Sequence, residues 1–174
     1  NTTSRSWIPM SGWAKQTYDN GQVKVMAEFT DGSVTRLKQW QENGIPMWDI
    51  GYTKGKVSQS DVPLESCWDS NFLLHNGLFT AWHENGQKEE EVNYKEGKED
   101  GLFTSWHENG QKWSEENYKD GKEDGLQLWW YENGQKQYEI NYKDGKEEGL
   151  TIYYNEDGTE DYRENYKDGL PVNP

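Results

Sequence analysis

Short runs of aromatic and β-branched residues alternate along this chain with Gly-centred polar turns, and no window carries apolar residues at the 3.6-residue period of an amphipathic helix. The stretch Gly101–Lys122, GLFTSWHENGQKWSEENYKDGK, shows the unit most clearly. Its two runs, Leu102–His107 and Lys112–Tyr118, each have the length of a short strand. Between them lies Asn109-Gly110, and after them Lys119-Asp120-Gly121. Asn-Gly and Asp-Gly between such runs signal hairpins, because these residues tolerate the positive φ of a tight reversal. The same unit starts at Gly77, Gly125 and Gly149, a strict step of 24 residues. Trp82, Trp106, Trp130 and Tyr154 keep that step, as do Tyr94, Tyr118, Tyr142 and Tyr166. A fixed period in this range is the signature of a repeat architecture.

Alternation within a strand sorts the faces. Leu102, Thr104 and Trp106 share one side of the first strand, and Phe103, Ser105 and His107 share the other. A three-residue Glu-Asn-Gly loop with Gly in the left-handed conformation places Ser114, Glu116 and Tyr118 with the Leu/Trp side. A two-residue loop reverses them. The three-residue loop is the better reading: it also gathers Val92/Tyr94, Tyr138/Ile140/Tyr142, Val25/Ala27/Phe29 and Trp48/Ile50/Tyr52 on the Leu/Trp side. That side is therefore expected to be the buried one.

Two eroded copies precede the regular array. Gly12, Tyr18-Asp19-Asn20-Gly21 and Phe29-Thr30-Asp31-Gly32 mark the first, and Trp40, Glu42-Asn43-Gly44 and Tyr52-Thr53-Lys54-Gly55 mark the second. Terminal repeats are commonly atypical. The expectation is an all-β, elongated repeat array: a single twisted antiparallel meander of about six hairpin repeats, or about twelve strands. One domain spans 1–174, with degenerate repeats at 12–57, an insertion at 58–76 and regular repeats at 77–170. The insertion is either a surface loop or a latch carrying Trp68, Phe72 and Leu73 onto the sheet. The closing LPVNP reads as a stop against further pairing.

Composition changes this picture in two ways. A hydrophobic content of 31% with net charge −14 points toward disorder, but ten Trp and eleven Tyr, many placed periodically, supply a thin core of large side chains. The acidic balance opposes nucleic acid and anionic membranes, which need basic patches. It suits a basic protein partner, or serves solubility alone. The single cysteine, Cys67, rules out an internal disulfide. No apolar stretch approaches transmembrane length. The chain starts at Asn1 rather than Met, which leaves its compartment open.

The unit YKEGKEDGLFTSWHENG, Tyr94–Gly110, resembles a MORN repeat, and the array is similar to the bacterial variant with units Gly-x4-Tyr/Trp-x2-Asn-Gly-x7-Tyr-x2-Gly-x3-Gly. Four copies match well and two loosely, covering most of the chain outside 1–11 and 58–76. The resemblance implies a meander of hairpins and a role in scaffolding or binding. Many bacterial proteins of this kind are called antitoxins of toxin–antitoxin pairs, and eukaryotic relatives are discussed as lipid-binding. It brings no catalytic residues.

The residues themselves give little sign of chemistry. Glu89–Glu91 and Glu115–Glu116 read as solvated strand charges that discourage edge-to-edge association. The pairs Glu99-Asp100, Glu123-Asp124 and Glu147-Glu148 lack the alternating oxygen ligands of a calcium loop. His83 and His107, one repeat apart, lie roughly 9.5 Å apart by strand spacing, too far to share a zinc ion. No catalytic residue, metal or cofactor is expected. The side opposite the Leu/Trp stripe nevertheless carries Phe79, Phe103, Trp113, Trp129, Tyr131 and Tyr153, with His83, His107 and Gln127 as a polar rim. Aromatics on an open sheet face mark contact sites. The expectation is a binding face for a protein partner (Phe79, Phe103, His107, Trp113, Trp129, Tyr131 and Tyr153), with a glycan or cell-wall ligand as the alternative.

Overall fold

The computed structural model describes residues 11–31, 33–52 and 75–172. These contain no helix, and their fifteen strands form one open antiparallel sheet in meander order. β1 (Gly12–Thr17), β2 (Val23–Thr30), β3 (Ser33–Trp40) and β4 (Pro46–Tyr52) make the N-terminal hairpins. β5 (His75–Trp82), β6 (Lys88–Lys95), β7 (Lys98–Trp106) and β8 (Lys112–Lys119) continue the sheet. β9 (Lys122–Glu123) and β10 (Gly125–Trp130) are two parts of one interrupted strand, as are β12 (Lys146–Glu147) and β13 (Gly149–Tyr154) beyond β11 (Lys136–Lys143). β14 (Glu160–Lys167) and β15 (Leu170–Pro171) end the array.

The all-β meander expected from the sequence is therefore what forms, with two corrections at its margins. Leu170 and Pro171 pair with Lys167 and Tyr166, so LPVNP does not stop pairing at once. Proline is tolerated there because β15 is the sheet edge and needs no further donor. His75 pairs with Tyr52, so the last two residues of the expected insertion belong to β5. Its remainder, with Cys67, Trp68, Phe72 and Leu73, lies outside the described residues.

Each repeat turns twice, by different means. His107 N–H donates to the Gln111 carbonyl and Gly110 N–H to the His107 carbonyl, both at 2.8 Å. This closes the three-residue loop Glu108-Asn109-Gly110, with Gly110 at φ 82°. A Cβ on Gly110 would also run into Gln87 of the preceding repeat. The second turn is a two-residue loop in which Asp120 and Gly121 take φ values of 51° and 79°. Positive φ at both positions gives the type I′ geometry that suits the twist of the flanking strands.

The loop is as expected, yet the buried face is not. Trp106 pairs with Lys112, but Ser105 pairs with Ser114, so Trp113 is an extra residue opposite no partner. This bulge reverses the parity of everything after it. Ser114, Glu116 and Tyr118 thus share a face with Ser105, Phe103 and Gly101, not with Leu102 and Trp106. The same slip recurs before Trp82, Trp130, Tyr154, Thr17 and Trp40. The expected Leu/Trp core is corrected accordingly: Leu102 is 45% exposed, and Leu78 and Leu126 are exposed too. The core face instead carries Val25, Ala27, Phe29, Leu37, Ile50, Val92 and Ile140, all buried.

Repeats are stitched by the turn asparagines. Asn109 Oδ1 accepts from Gln111 N–H at 2.9 Å, and its Nδ2 donates to the Glu132 carbonyl of the next repeat at 3.1 Å. Asn20, Asn85 and Asn133 reach Glu42, Glu108 and Glu156 in the same way. The last regular repeat has Asp157 instead, whose Oδ1 accepts from Thr159 N–H.

Candidate functional site

Pairing carries three rows of side chains across the core face. One row runs Tyr94, Glu99, Tyr118, Glu123, Tyr142, Glu147 and Tyr166, because Tyr94, Tyr118 and Tyr142 each pair with the Glu that follows the type I′ turn. The middle row passes from Val92 and Phe103 to Glu116, Gln127, Ile140, Thr151 and Glu164. The third runs Glu90, Ser105, Ser114, Trp129, Tyr138, Tyr153 and Tyr162. Its aromatics form a continuous ladder, with centroid separations of 5.0, 5.8 and 4.5 Å from Trp129 to Tyr162.

The two faces treat charge differently. On the Leu/Trp face, Lys88 pairs with Glu91, Lys112 with Glu115 and Lys136 with Glu139. Lys88 and Lys112 also lie over the rings of Trp106 and Trp130 in the next repeat, at 5.4 and 5.9 Å. The small Thr80 and Thr104 on this face are buried. On the core face, no ion pair to Lys or Arg is found for Glu90, Glu99, Glu116, Glu123 or Glu147 among the described residues. Burial, and then the neighbouring carboxylates, hold Glu90, Glu123 and Glu147 above the usual carboxylate range. The same causes push Tyr142 up to about 12. Lys136 acts the other way on the opposite face and holds Glu139 below the usual range.

A cavity of about 400 Å³ opens in the core face, lined by Glu90, Glu99, Phe103, Ser105, Ser114, Glu116, Tyr118 and Trp129, with Trp113 and His83 also at its wall. Ser105 and Ser114 cause it. They occupy the row filled by Trp129, Tyr138 and Tyr153 farther along, and their hydroxyls bond each other at 2.6 Å. Two small side chains leave a gap in the aromatic ladder.

The residues singled out from the sequence divide into two groups. Phe79, Phe103, Trp129 and Tyr153 all stand on the core face, half-buried. Trp113 occupies the bulge, is 52% exposed, and leans on the His107 ring at 6.1 Å. His107 and Tyr131 serve the backbone: His107 Nε2 donates to the Trp130 carbonyl and the Tyr131 hydroxyl to the Tyr154 carbonyl. His83 does the same for Trp106. Gln127 is wholly buried, where its amide accepts from Asn117 N–H at 2.7 Å and donates to Asn117 O at 2.9 Å, filling a gap in the ladder between β8 and β10. Sequence reasoning missed the core-face carboxylates. The acid pairs split in function: Asp100, Asp124 and Glu148 accept from the N–H of Asp120, Asp144 and Asp168, while Glu99, Glu123 and Glu147 face the tyrosines. The alternation of Glu and Tyr around each second turn was the available signal.

An open antiparallel sheet built from one bulged hairpin per 24 residues, stitched repeat to repeat through its turns, defines a β-repeat scaffold. Residues 76–96, 99–120 and 123–144 match the MORN repeat variant, so three consecutive units of this chain are MORN repeats of that kind. Such repeats form binding scaffolds and are in general non-catalytic. No curated protein matches the chain significantly.

Proposed function

We propose that this chain is a non-enzymatic scaffold that holds a basic protein partner on its core face, as the neutralising member of an antitoxin- or immunity-type pair would. The observation carrying this reading is the charge asymmetry between the faces. Carboxylates on the Leu/Trp face have lysine partners, whereas those on the core face stand beside aromatics without cations among the described residues. A net charge of −14 attracts basic partners and speeds their encounter. Aromatic side chains then provide the contact area that dominates binding energy.

The test is the double substitution Trp113→Ser with Tyr162→Ser, two exposed positions whose loss leaves the buried row intact. The expected result is an unchanged melting temperature with loss of the protein captured by the wild type from lysate of the source organism. Retained capture by the folded variant removes this face as the site. A glycan reading is favoured by the ladder from Trp129 to Tyr162, but those rings lie against one another. Titration with soluble cell-wall oligosaccharides decides it, since binding that the double substitution abolishes would replace the protein reading.

A further inference from the structure

We infer that the cavity between Glu90 and Trp129 is an arginine receptor: it seats one guanidinium of an extended, arginine-bearing segment of a partner protein, over the Ser105–Ser114 floor. This rests on the scaffold reading above and gives it a definite ligand chemistry.

The geometry follows from pairing. Glu90, Ser105, Ser114 and Trp129 are successive neighbours on four strands, so Glu90 and Trp129 stand roughly 14 Å apart with only two serines between them. Phe103 and Glu116, paired with each other in the adjoining row, close one side. The cavity, about 400 Å³, falls in the range of about 300–1,000 Å³ typical of ligand pockets. Its walls alternate aromatic faces with carboxylates. That combination suits guanidinium better than ammonium, because the planar ion stacks on a ring and donates two parallel N–H bonds to one carboxylate.

Other occupants fit less well. A second copy of this chain would bring another net charge of −14 against an acidic face. A neutral apolar segment would bury Glu90 without a cation, and Glu116 with only the Tyr118 hydroxyl as donor, which is costly. The face is also short of donors beyond the cavity. Glu147 Oε2 and Thr151 Oγ1 are buried acceptors without a hydrogen-bond partner among the described residues, and Thr151 is 1% exposed. They lie two repeats along from the cavity, on the same face. The Glu99, Glu123 and Glu147 row links the two regions at roughly 9.5 Å per repeat, so the arginines of an extended segment laid across the strands would find carboxylates on either side of the cavity. Burial and like-charge neighbours already raise the proton affinity of Glu90, Glu123 and Glu147, which an incoming cation would relieve.

The experiment uses the full chain and an octapeptide of alternating Gly and Arg, with lysine and citrulline versions of equal length. Binding is followed by NMR of the tryptophan indole N–H groups. The expected result is a saturable shift of the Trp113 and Trp129 signals on adding the arginine peptide, weaker with lysine and absent with citrulline. Glu90→Gln with Glu116→Gln should weaken binding by about tenfold or more, as loss of close charge pairs does. Glu91→Gln with Glu115→Gln, an equal charge change on the opposite face, should leave it within about twofold, as expected for screened surface charge. Equal weakening by both variants, equal binding of citrulline, or no binding of the arginine peptide would overturn the receptor. If instead the wild type still captures a protein that Trp113→Ser with Tyr162→Ser loses, the scaffold stands and only the arginine chemistry falls. A melting temperature of the Glu90/Glu116 variant at or above wild type separates lost binding from lost fold.

Discussion

In β1–β4 the middle row of the core face is Ala14, Ala27, Leu37 and Ile50, whereas across β8–β14 it reads Glu116, Gln127, Ile140, Thr151 and Glu164. Val25, Ala27, Phe29, Val34, Leu37 and Ile50 form the buried apolar cluster of the described residues. The repeats most regular in sequence thus have the more polar interior, and the eroded copies have the better apolar core. Regularity in this chain belongs to the turns and to most of the stitches, Asn43 alone of the turn asparagines donating to Gln41 of its own turn. The filling of the core face is free to differ. The N-terminal hairpins use that freedom for hydrophobic burial, and the later repeats use it to display carboxylates and aromatic rings.

The contrast can be broken most directly at its apolar end. Leu37→Ala should cost about 3 kcal/mol, as buried leucine truncations do, read as a lowered denaturation midpoint. If both regions depended on apolar packing, Leu102→Ala would cost as much, whereas its exposed side chain should give less than about 1 kcal/mol. At the polar end, Gln127→Ala should cost about 2 kcal/mol, because it leaves Asn117 N–H without an acceptor. Hydrogen exchange at Asn117 should accelerate in that variant.

Stitching gives a smaller effect. Asn109→Asp removes the donor to Glu132 and should cost about 1 kcal/mol by thermal denaturation. Asp157→Asn keeps the oxygen that accepts from Thr159 N–H and should be neutral.

The pH response sharpens the same comparison. Glu90, Glu123 and Glu147 have folded pKa values above their unfolded ones, so the folded state binds the extra protons. Their contribution is fully present below the unfolded carboxylate value of about 4.3 and is lost as pH rises through the raised folded values. Melting temperature should therefore climb on acidification from pH 7 toward about 5. Glu139, held low by Lys136, acts oppositely and loses its contribution as pH falls through its folded value. Glu90→Gln should flatten the rise; an unchanged profile would count against a desolvated Glu90. An effect of the opposite sign is expected at Thr151→Val, which replaces an unpartnered buried hydroxyl and should stabilise by about 1 kcal/mol in chemical denaturation.

The period, the hairpins, both turn types and the absence of helix were legible because each rests on local chemistry. Gly110, Asp120 and Gly121 take positive φ, as do their equivalents in the neighbouring regular repeats, and a 24-residue step forces equivalent hairpins to stack. Phe79, Phe103, Trp129 and Tyr153 share one side of the sheet as expected, because strand alternation is local too. Which face is buried was not legible. It turns on one bulge residue per hairpin, and that residue is Lys24, Met47, Glu89, Trp113, Gln137 or Asp161, with no common chemistry to announce it. Only pairing between strands exposes the slip, and with it every later side chain changes face. The juxtaposition of Glu90, Ser105, Ser114 and Trp129 has the same origin, since four residues spread over 40 positions become neighbours only through four strands in register. Sequence determined the hairpin and its repetition through backbone preference, and tertiary register decided what the sheet buries and what it exposes.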